Sequence, residues 1–342
     1  MSESSNLANP PIEPDSGQEF MDMMDSIIQQ ITDETDTPTN TNLSEIPGMP
    51  APKELPPNYI MKNYRLIKPL GEGGFGVTYL AEDVLLNRLV VLKESFPHTL
   101  CERQAGTLDV VPQMGAQAEE CENAMINFLR EVRLLAKLDH PNIVKIYTFF
   151  ERHKTAYYVT EYIDGMCLAD VVSDYRKHLG YLPQDDLYSL MVRVLDALDY
   201  LHSRDILHLD IKPDNILVTR DGRPIIIDMG AARERHADAC NGVVESVGFS
   251  PPEQCASQLS DLGPWTDLYG FAATLYYLLT KTAPPAGAQR SLYDTLDPLA
   301  SIPKLTAIYH PQLLASIDKA LSPNIEHRYK NVSEWMEDLR PR

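Results

Sequence analysis

The stretch from His208 to Gly230 constrains this chain more than any other part of it. It contains two short runs rich in β-branched residues, 216–219 and 225–227, separated by Asp221 and Gly222. Asp-Gly between two apolar runs is a strong hairpin signal, so we predict two antiparallel strands joined by a tight turn. A hairpin brings its ends together, and the polar residues that flank its strands are therefore expected to converge.

Four polar residues flank the predicted hairpin. They are Asp210, Lys212, Asn215 and Asp228. Two carboxylates, an amide and an ammonium at one point suit a divalent cation together with an anionic substrate. Mg²⁺ takes oxygen ligands and usually binds through one or two carboxylates plus substrate phosphates. The sequence therefore predicts a magnesium and phosphate site at this end of the hairpin.

The same stretch resembles the catalytic loop and the magnesium loop of the protein kinases. Those loops normally read His-Arg-Asp-Leu-Lys-Pro-x-Asn and Asp-Phe-Gly. Here they read His-Leu-Asp-Ile-Lys-Pro-Asp-Asn and Asp-Met-Gly. Met229 keeps an apolar, adaptable side chain in place of phenylalanine. Leu209, in contrast, removes the charge of the usual arginine.

A second set of kinase-like features lies nearer the N-terminus. The glycine-rich segment 71–76 is followed by a predicted strand. This order indicates a hairpin that covers the phosphates of a nucleotide, whereas a dinucleotide-binding turn would be followed by a helix. Val90-Val-Leu-Lys93 resembles the family's Val-Ala-Ile-Lys, whose lysine contacts the α- and β-phosphates. A helix is predicted to begin near Asn127, because Phe128, Val132, Leu135 and Leu138 fall on one face at helical spacing. Its Glu131 matches the glutamate that pairs with that lysine in active kinases.

The resemblance covers residues 64–340 and implies a set of site residues. The expected catalytic residues are Asp210, Lys212, Lys93 and Glu131. The expected ATP-binding residues are Gly71, Gly73, Gly76, Val77, Val91, Lys93, Thr160, Glu161, Ile163 and Leu217. The expected metal ligands, for Mg²⁺ or Mn²⁺, are Asn215 and Asp228. The expected substrate platform contains Ser246, Glu253 and Arg328.

The resemblance also predicts the type of acceptor. Asp210 would orient the substrate hydroxyl, and Lys212 would balance charge on the γ-phosphate. Lys212 and Ser246 match residues typical of serine/threonine kinases rather than tyrosine kinases. Val91 stands where alanine is usual, so we expect tighter packing against adenine and weaker ATP binding. Glu-Ser-Phe-Pro after Lys93 and Pro-Pro-Glu-Gln near residue 253 resemble bacterial eukaryotic-like (Hanks-type) kinases.

The fold class implied is α+β, in two lobes. A small antiparallel sheet with one main helix is expected over about 64–161, and a larger, mostly helical lobe over about 164–340. Residues 1–57 carry 11 acidic residues and one basic residue, and their composition predicts a disordered tail. Within the tail, 20–31 has apolar residues at helical spacing. It is either a transient helix or a helix that docks in a partner's groove.

Composition excludes several other classes. A net charge of −19 offers no basic face for nucleic acid. Five cysteines without metal-ligand spacing predict free thiols in a reducing compartment. No apolar run approaches the length of a membrane span, and no basic segment precedes an apolar core as in a signal peptide. We therefore expect a cytoplasmic protein, with delivery into another cell by a specialised system left open.

Two rival functions remain at this point. A pseudokinase would act as a scaffold that binds nucleotide or a partner without transfer, and Leu209, Met229 and Val91 are the only departures that favour it. A small-molecule kinase of similar fold would lack a peptide platform, which 246–253 and Arg328 supply here. The prediction is a serine/threonine protein kinase that acts on protein substrates with ATP and is able to autophosphorylate.

The activation segment is unusual in two respects. Many kinases are activated when a phosphate in this segment pairs with the arginine that Leu209 replaces. Residues 228–245 contain no serine, threonine or tyrosine. We therefore predict that the segment is ordered without phosphorylation, through apolar packing around Leu209 and ion pairs within the loop. The predicted ion pairs involve Arg233, Glu234, Arg235 and Asp238.

Overall fold

The structure is a computed structural model. It describes residues 53–73, 76–104, 107–115, 118–235, 245–256 and 259–339. All of these belong to one of the two units into which the chain divides, residues 48–342. The predicted amphipathic segment 20–31 lies outside the described residues, so its two interpretations stay predictions.

Thirteen strands and nine α-helices are found among the described residues. The strands are β1 (Ile60–Met61), β2 (Tyr64–Gly73), β3 (Gly76–Asp83), β4 (Arg88–Ser95), β5 (Cys101–Arg103), β6 (Val110–Pro112), β7 (Ile146–Arg152), β8 (Thr155–Glu161), β9 (Gly165–Cys167), β10 (Ile206–Leu207), β11 (Ile216–Thr219), β12 (Pro224–Ile226) and β13 (Arg233–Glu234). The helices are α1 (Ala118–Ala136), α2 (Leu168–Leu179), α3 (Gln184–His202), α4 (Pro252–Cys255), α5 (Pro264–Thr280), α6 (Gly287–Leu292), α7 (Pro303–Thr306), α8 (Pro311–Ala320) and α9 (Val332–Leu339).

An antiparallel sheet of six strands, in the order β1-β2-β3-β4-β8-β7, forms the small lobe. Side chains alternate between the two faces of each strand. On one face a core buries, among others, Tyr79, Leu92 and Tyr157. On the other face Thr78 lies directly opposite Lys93 in the register, and Val91 lies opposite Thr160. The sheet therefore presents Lys93 on the face opposite its own core.

Helix α1 begins at Ala118, well before the predicted start near Asn127. The first turns lack the apolar spacing on which the prediction relied, but Glu119 and Glu120 in the first turn favour a helix N-terminus. The apolar face was predicted correctly, because all four of its expected members are buried. They are Phe128, Val132, Leu135 and Leu138.

The connection between β4 and α1 contains a two-stranded sheet that the sequence did not predict. Strands β5 and β6 are three residues each, too short for a visible alternation, and they pair from Cys101 with Pro112 to Arg103 with Val110. Hydrogen bonds from the Gln113 side chain to the carbonyl oxygens of His98 and Cys101 hold this hairpin. We call residues 97–115 the accessory hairpin.

The segment just before β1 is packed into the small lobe. Leu55 is 2% exposed and belongs to the core of the sheet, and its amide nitrogen donates to the Tyr79 hydroxyl at 3.0 Å. The Arg103 side chain donates to the carbonyl oxygen of Lys53 at 3.0 Å. Residues 53–57, which we had assigned to the disordered tail, thus contribute to the fold. The tail stays a prediction for the residues before them.

Replacing Leu55 by alanine is expected to destabilise the chain by about 2–5 kcal/mol, because the substitution leaves a cavity in the core. Leu85→Ala is the matched control, since Leu85 is 77% exposed. Urea denaturation followed by circular dichroism measures both free energies of unfolding. Equal stability of the two variants would show that residues 53–57 do not pack as described.

Two buried helices organise the large lobe. Helix α3 buries a long apolar stripe, and in α5 every residue from Thr266 to Tyr276 is buried. Strands β9, β11 and β12 form a small sheet beside them, and β10 pairs with β13. The predicted α+β fold, with a small sheet lobe and a larger helical lobe, is confirmed. Among the residues the structure describes, no helix is long and apolar enough to span a membrane.

Candidate active site

The hairpin predicted between residues 216 and 227 is present, and it fixes one side of the site. Ile216 pairs with Ile226, and Gly222 in the turn has a φ of +80°, which glycine adopts without strain. At the open end, the Ile227 amide donates to the Asn215 carbonyl at 3.0 Å. Asn215 and the neighbouring Asp228 are therefore brought to the same end of the hairpin, as the pattern predicted.

Lys93 joins the two lobes at this site. Its Nζ lies 2.9 Å from Glu131 Oε1 and 3.2 Å from Asp228 Oδ1. The Tyr158 hydroxyl donates to Glu131 Oε1 at 2.6 Å, so this buried carboxylate has two partners. The β4 strand, helix α1 and the segment after β12 each contribute one charged group to the cluster.

Lys93 and the two carboxyls of this cluster affect one another's pKa. Burial raises the pKa of the Glu131 carboxyl, although Lys93 opposes this shift. Burial opposes a charge on Lys93, but Glu131 and the other neighbours outweigh it and raise the pKa of the ammonium well above its ordinary value. Burial also opposes a charge on Asp228, yet Lys93 and the Gly230 amide lower the pKa of this carboxyl. At neutral pH Lys93 is thus a cation and Asp228 an anion.

A second cluster surrounds Asp210. Its two carboxylate oxygens accept hydrogen bonds from Ser246 Oγ at 2.6 Å and from Lys212 Nζ at 2.8 Å. Lys212 Nζ also donates to Ser246 Oγ at 3.0 Å, which closes a three-membered network. The Asn215 side-chain amide donates to Asp210 Oδ2 at 2.9 Å. Three residues, up to 36 positions away in the chain, therefore meet at the Asp210 carboxylate.

The site suits a divalent cation bound together with phosphates. Asn215 donates to Asp210 through its amide nitrogen, which leaves its amide oxygen for a cation. The Asp228 carboxylate is 38% exposed, so one of its edges is open to the cleft. An amide oxygen and a carboxylate are hard oxygen donors of the kind that Mg²⁺ binds with substrate phosphates.

Two kinds of glycine occur in the glycine-rich segment. A Cβ on Gly76 would lie 1.8 Å from the Glu94 carbonyl oxygen, so only glycine fits where β3 passes β4. A Cβ on Gly71 or Gly73 would meet nothing within 4 Å. The first two glycines therefore border open space, whereas the third is required by the packing of the sheet.

The structure contradicts the prediction that Val77 contacts the nucleotide. It is fully buried in the core with Tyr79 and Ala81, on the sheet face that points away from Lys93. Thr78 takes the expected position, because it lies opposite Lys93 in the register. The error is one residue, and in a strand one residue changes the face.

The remaining expected nucleotide contacts line the junction of the lobes. Val91 and Thr160 are paired across β4 and β8, and Glu161 ends β8. Ile163 is buried in the segment that follows. Leu217 pairs with Cys167 from β9, which brings the large lobe to the same edge. These positions agree with a nucleotide base bound between the lobes.

The expected substrate platform is held by a buried ion pair. Arg328 binds the Glu253 carboxylate through both terminal nitrogens, at 2.7 and 3.0 Å. Thr266 also donates to this carboxylate at 3.2 Å. A bidentate pair fixes the orientation of both side chains as well as their separation. Helix α4 is thereby attached to α5 and to the segment before α9.

Comparison with known proteins identifies the family. The family described as "Protein kinase domain" matches residues 64–341. The chain belongs to the protein kinase family. The predicted resemblance to bacterial serine/threonine kinases is confirmed by its relatives, which include serine/threonine-protein kinase PknA of Nostoc sp., 32% identical over 297 residues, and probable serine/threonine-protein kinase PknB of Lactococcus lactis, 31% identical over 283 residues.

Each of these alignments covers 81% of this chain but only 47% and 41% of the two relatives. The chain thus spans less than half the length of these curated relatives. Among solved structures, the apo form of PpkA-294 matches with a TM-score of 0.74 and 29% identity, covering 84% of this chain and all of that one. The kinase domain of Mycobacterium tuberculosis PknI, at a TM-score of 0.58 and 22% identity, shares the fold.

The loop that resembles the catalytic loop of the family is held by residues that were not predicted to belong to the site. Asp267, on α5, accepts from the backbone amides of His208 and Leu209 at 2.9 and 2.7 Å. His202 lies 2.8 Å from the same carboxylate, and the Gln254 side chain donates to the Leu209 carbonyl at 2.7 Å. These contacts stabilise Leu209 in a left-handed conformation, with a φ of +61°.

Leu209 occupies an apolar environment. It is 4% exposed and packs with Leu207, Leu262 and Ala231, the last of which lies just after the magnesium loop. The usual arginine would place a charge in this cluster. Apolar packing around Leu209 was predicted, and the described part of the activation segment shows it.

The start of the activation segment has contacts other than the predicted internal ion pairs. Strand β13 pairs with β10, and Glu234 lies 3.0 Å from Lys137 at the end of α1. The Arg235 guanidinium lies over the Trp265 ring at 5.6 Å. Asp238 lies outside the described residues. The prediction of internal ion pairs is therefore corrected for Glu234, which bonds to the small lobe instead.

Proposed function

We propose that this chain is a serine/threonine protein kinase, which transfers the γ-phosphoryl group of ATP to a hydroxyl of a protein substrate. The observation that carries the proposal is the network of Asp210, Lys212 and Ser246, with Asn215 beside it. It places a carboxylate, an ammonium and a hydroxyl at one point, beside the cluster of Lys93, Glu131 and Asp228.

Asp210 acts on the acceptor. In the structure its Oδ1 accepts a hydrogen bond from the Ser246 hydroxyl at 2.6 Å, and this contact supports a role in binding a substrate hydroxyl. A substrate hydroxyl bound in the same way is oriented for attack and gives up its proton to Asp210. Lys212, 2.8 Å from the carboxylate, balances the negative charge that gathers on the transferring phosphoryl group.

Lys93 positions the nucleotide. Phosphoryl transfer asks the protein for positioning and charge stabilisation, with little covalent chemistry. Glu131 and Asp228 hold Lys93 in one place, from which it binds the α- and β-phosphates. Asn215 and Asp228 would hold a magnesium ion, which supplies charge neutralisation for the phosphates when bound. Gly71 and Gly73 leave space for the phosphates under the glycine-rich hairpin.

Two alternatives were left open by the sequence. A pseudokinase scaffold is disfavoured because the lysine, the carboxylate base and both metal ligands are present and are arranged around one cleft. A small-molecule kinase is disfavoured because the pair of Glu253 and Arg328 fixes helix α4 as a platform beside Ser246. We propose further that the activation segment is ordered without phosphorylation and that the chain phosphorylates itself.

Incubation with γ-labelled ATP, Mg²⁺ and a generic basic protein tests the proposal. We expect phosphoserine or phosphothreonine on the protein substrate, and loss of at least about 99% of the rate in Asp210→Ala. Asp139→Ala is the control, because Asp139 is 89% exposed and lies outside the site. If the unaltered chain transfers no label, the result would support a pseudokinase scaffold. Label on small molecules alone would support a small-molecule kinase.

A further inference from the structure

Two cysteines face each other between the accessory hairpin and helix α1. Cys101 is the first residue of β5, and Cys121 lies in the first turns of α1. Their sulfur atoms are 3.3 Å apart, and the Cys101 thiol donates to the Cys121 sulfur. Both are free thiols. A disulfide has a sulfur–sulfur distance of about 2.0 Å, so an approach of about 1.3 Å would close the bond.

The two thiols differ in their access to solvent. Cys101 is 5% exposed, whereas Cys121 is half-buried. Burial raises the pKa of the Cys101 thiol to about 12, and the hydrogen bond to Cys121 adds to this effect. Because oxidants react with sulfur atoms that they can reach, the more exposed Cys121 is the position that reacts first. Cys101 is then placed to resolve the product.

We propose that Cys101 and Cys121 form a redox-active dithiol, which a hydroperoxide oxidises to a disulfide. In the first step the Cys121 sulfur attacks the peroxide oxygen, which gives a sulfenic acid and releases water or an alcohol. In the second step the Cys101 sulfur attacks the Cys121 sulfur, and the sulfenic hydroxyl leaves as water. The two thiols lose two electrons and two protons, and the peroxide is reduced by the same two electrons. A reducing thiol reverses the reaction.

The position of the pair gives the reaction a consequence for the active site. Two residues after Cys101, the fully buried Arg103 side chain contacts Glu94 Oε2 at 2.5 Å, and Glu94 directly follows Lys93 in β4. The hydroxyls of Tyr79 and Tyr157 also donate to Glu94. The accessory hairpin is therefore attached firmly to the strand that carries Lys93.

Cys121 lies on the helix that carries Glu131. The two residues are about 15 Å apart along α1 at the usual rise of a helix. A Cys101–Cys121 bond would thus join, through the accessory hairpin, the two elements whose side chains form the ion pair of Lys93 and Glu131. The ion pair of Lys93 and Glu131 is already formed while the thiols are reduced, and the disulfide needs only a small movement to form. The disulfide would therefore hold α1 in its present position. This consequence for catalysis rests on the proposed function, whereas the oxidation itself does not.

The oxidation is tested on the full chain, without a kinase assay. The protein is treated with hydrogen peroxide, its remaining free thiols are alkylated after denaturation, and the peptides are mapped by mass spectrometry. We expect a peptide pair linked through Cys101 and Cys121, which disappears on reduction. Cys255→Ser should retain the linked pair, whereas Cys121→Ser and Cys101→Ser should lose it. Cys121 found as sulfinic acid beside an alkylated Cys101, or linked to another cysteine, would overturn the proposal.

The predicted restraint of α1 by the disulfide, which we call the holding effect, is tested by thermal unfolding of the same samples. The disulfide closes a loop of about 20 residues, and we expect the oxidised chain to melt about 5 °C higher than the reduced chain. The rise should vanish on reduction and be absent from Cys121→Ser, which keeps a small polar side chain at a half-buried position. An unchanged or lower melting temperature in a sample with the linked peptide would refute the holding effect. Both readouts stand whether or not the chain transfers phosphate.

Discussion

Lys93→Met and Asp228→Asn are each expected to lower the rate of phosphoryl transfer by at least about a hundredfold. Lys93 is the cation held between two carboxylates, at 2.9 and 3.2 Å, and Asp228 is one of them. Each substitution removes one charge from a site whose contribution is electrostatic. The Asp228 change also replaces the charge of a proposed metal ligand by a neutral amide while it keeps the shape of the side chain.

Initial rates on a peptide substrate, with saturating Mg²⁺, measure this loss. Lys145→Met and Asp139→Asn are matched controls, because these residues form an exposed pair at 3.6 Å outside the cleft. Circular dichroism should show unchanged helical content, since the Tyr158 hydroxyl still donates to Glu131 in the Lys93 variant. A folded variant of either site residue that keeps a near-native rate would contradict the assignment of the site.

Leu209→Arg is expected to lower both the stability and the transfer rate of the chain, although arginine is the usual residue of the family at that position. The Leu209 side chain is 4% exposed and packs with Leu207, Leu262 and Ala231, so a guanidinium would enter an apolar cluster. Burying a charge among these side chains should destabilise the chain by about 3 kcal/mol. Because Ala231 follows the magnesium loop, we also expect a loss of at least about tenfold in rate from disturbance of Asp228.

Leu85→Arg is the control for the added charge, since Leu85 is 77% exposed. Urea denaturation and initial rates should separate the two variants clearly. A Leu209→Arg protein that is as stable as the control and transfers phosphate faster would show that the cluster accepts arginine. The hypothesis that apolar packing around Leu209 replaces the contact between a phosphate and an arginine would then be wrong.

Much of the site was predictable because its parts are local in the sequence. The hairpin from 216 to 227 was predicted from β-branched runs around Asp221 and Gly222, and it positions Asn215 and Asp228. The family resemblance added Lys93 and Glu131, which no local pattern connects. The local pattern and the family resemblance can both be recognised without knowledge of long-range packing. Together they were sufficient to predict the two-lobed fold.

The parts that were missed depend on contacts between distant residues. Leu55 is surrounded in the sequence by residues typical of a polar linker, yet it is buried in the core of the sheet. There its amide donates a hydrogen bond to the hydroxyl of Tyr79, 24 positions away. Tyr158 and Asp267 look like ordinary strand and helix residues until the partner elements are in place. The misassignment of Val77 had a different cause, because the spacing of the glycines does not fix which face of β3 the next residue occupies.

The accessory hairpin shows the same limit. Its strands have three residues each, so neither length nor alternation could reveal them. Its principal attachment is the ion pair of Arg103 and Glu94, two charged residues that the sequence alone would place in solvent. Two tyrosine hydroxyls complete the hydrogen bonds of this buried carboxylate. A buried pair of this kind is recognisable only from the assembled fold.

The most direct test of the account measures transfer by the unphosphorylated chain. Purified protein is treated with a phosphatase, the loss of phosphate is verified by mass spectrometry, and the initial rate on a peptide is compared with that of Asp210→Ala. The account predicts that the dephosphorylated chain keeps its rate within about twofold, while the variant loses it. A rate that collapses to that of Asp210→Ala, and recovers with ATP as phosphate returns between residues 228 and 253, would contradict it.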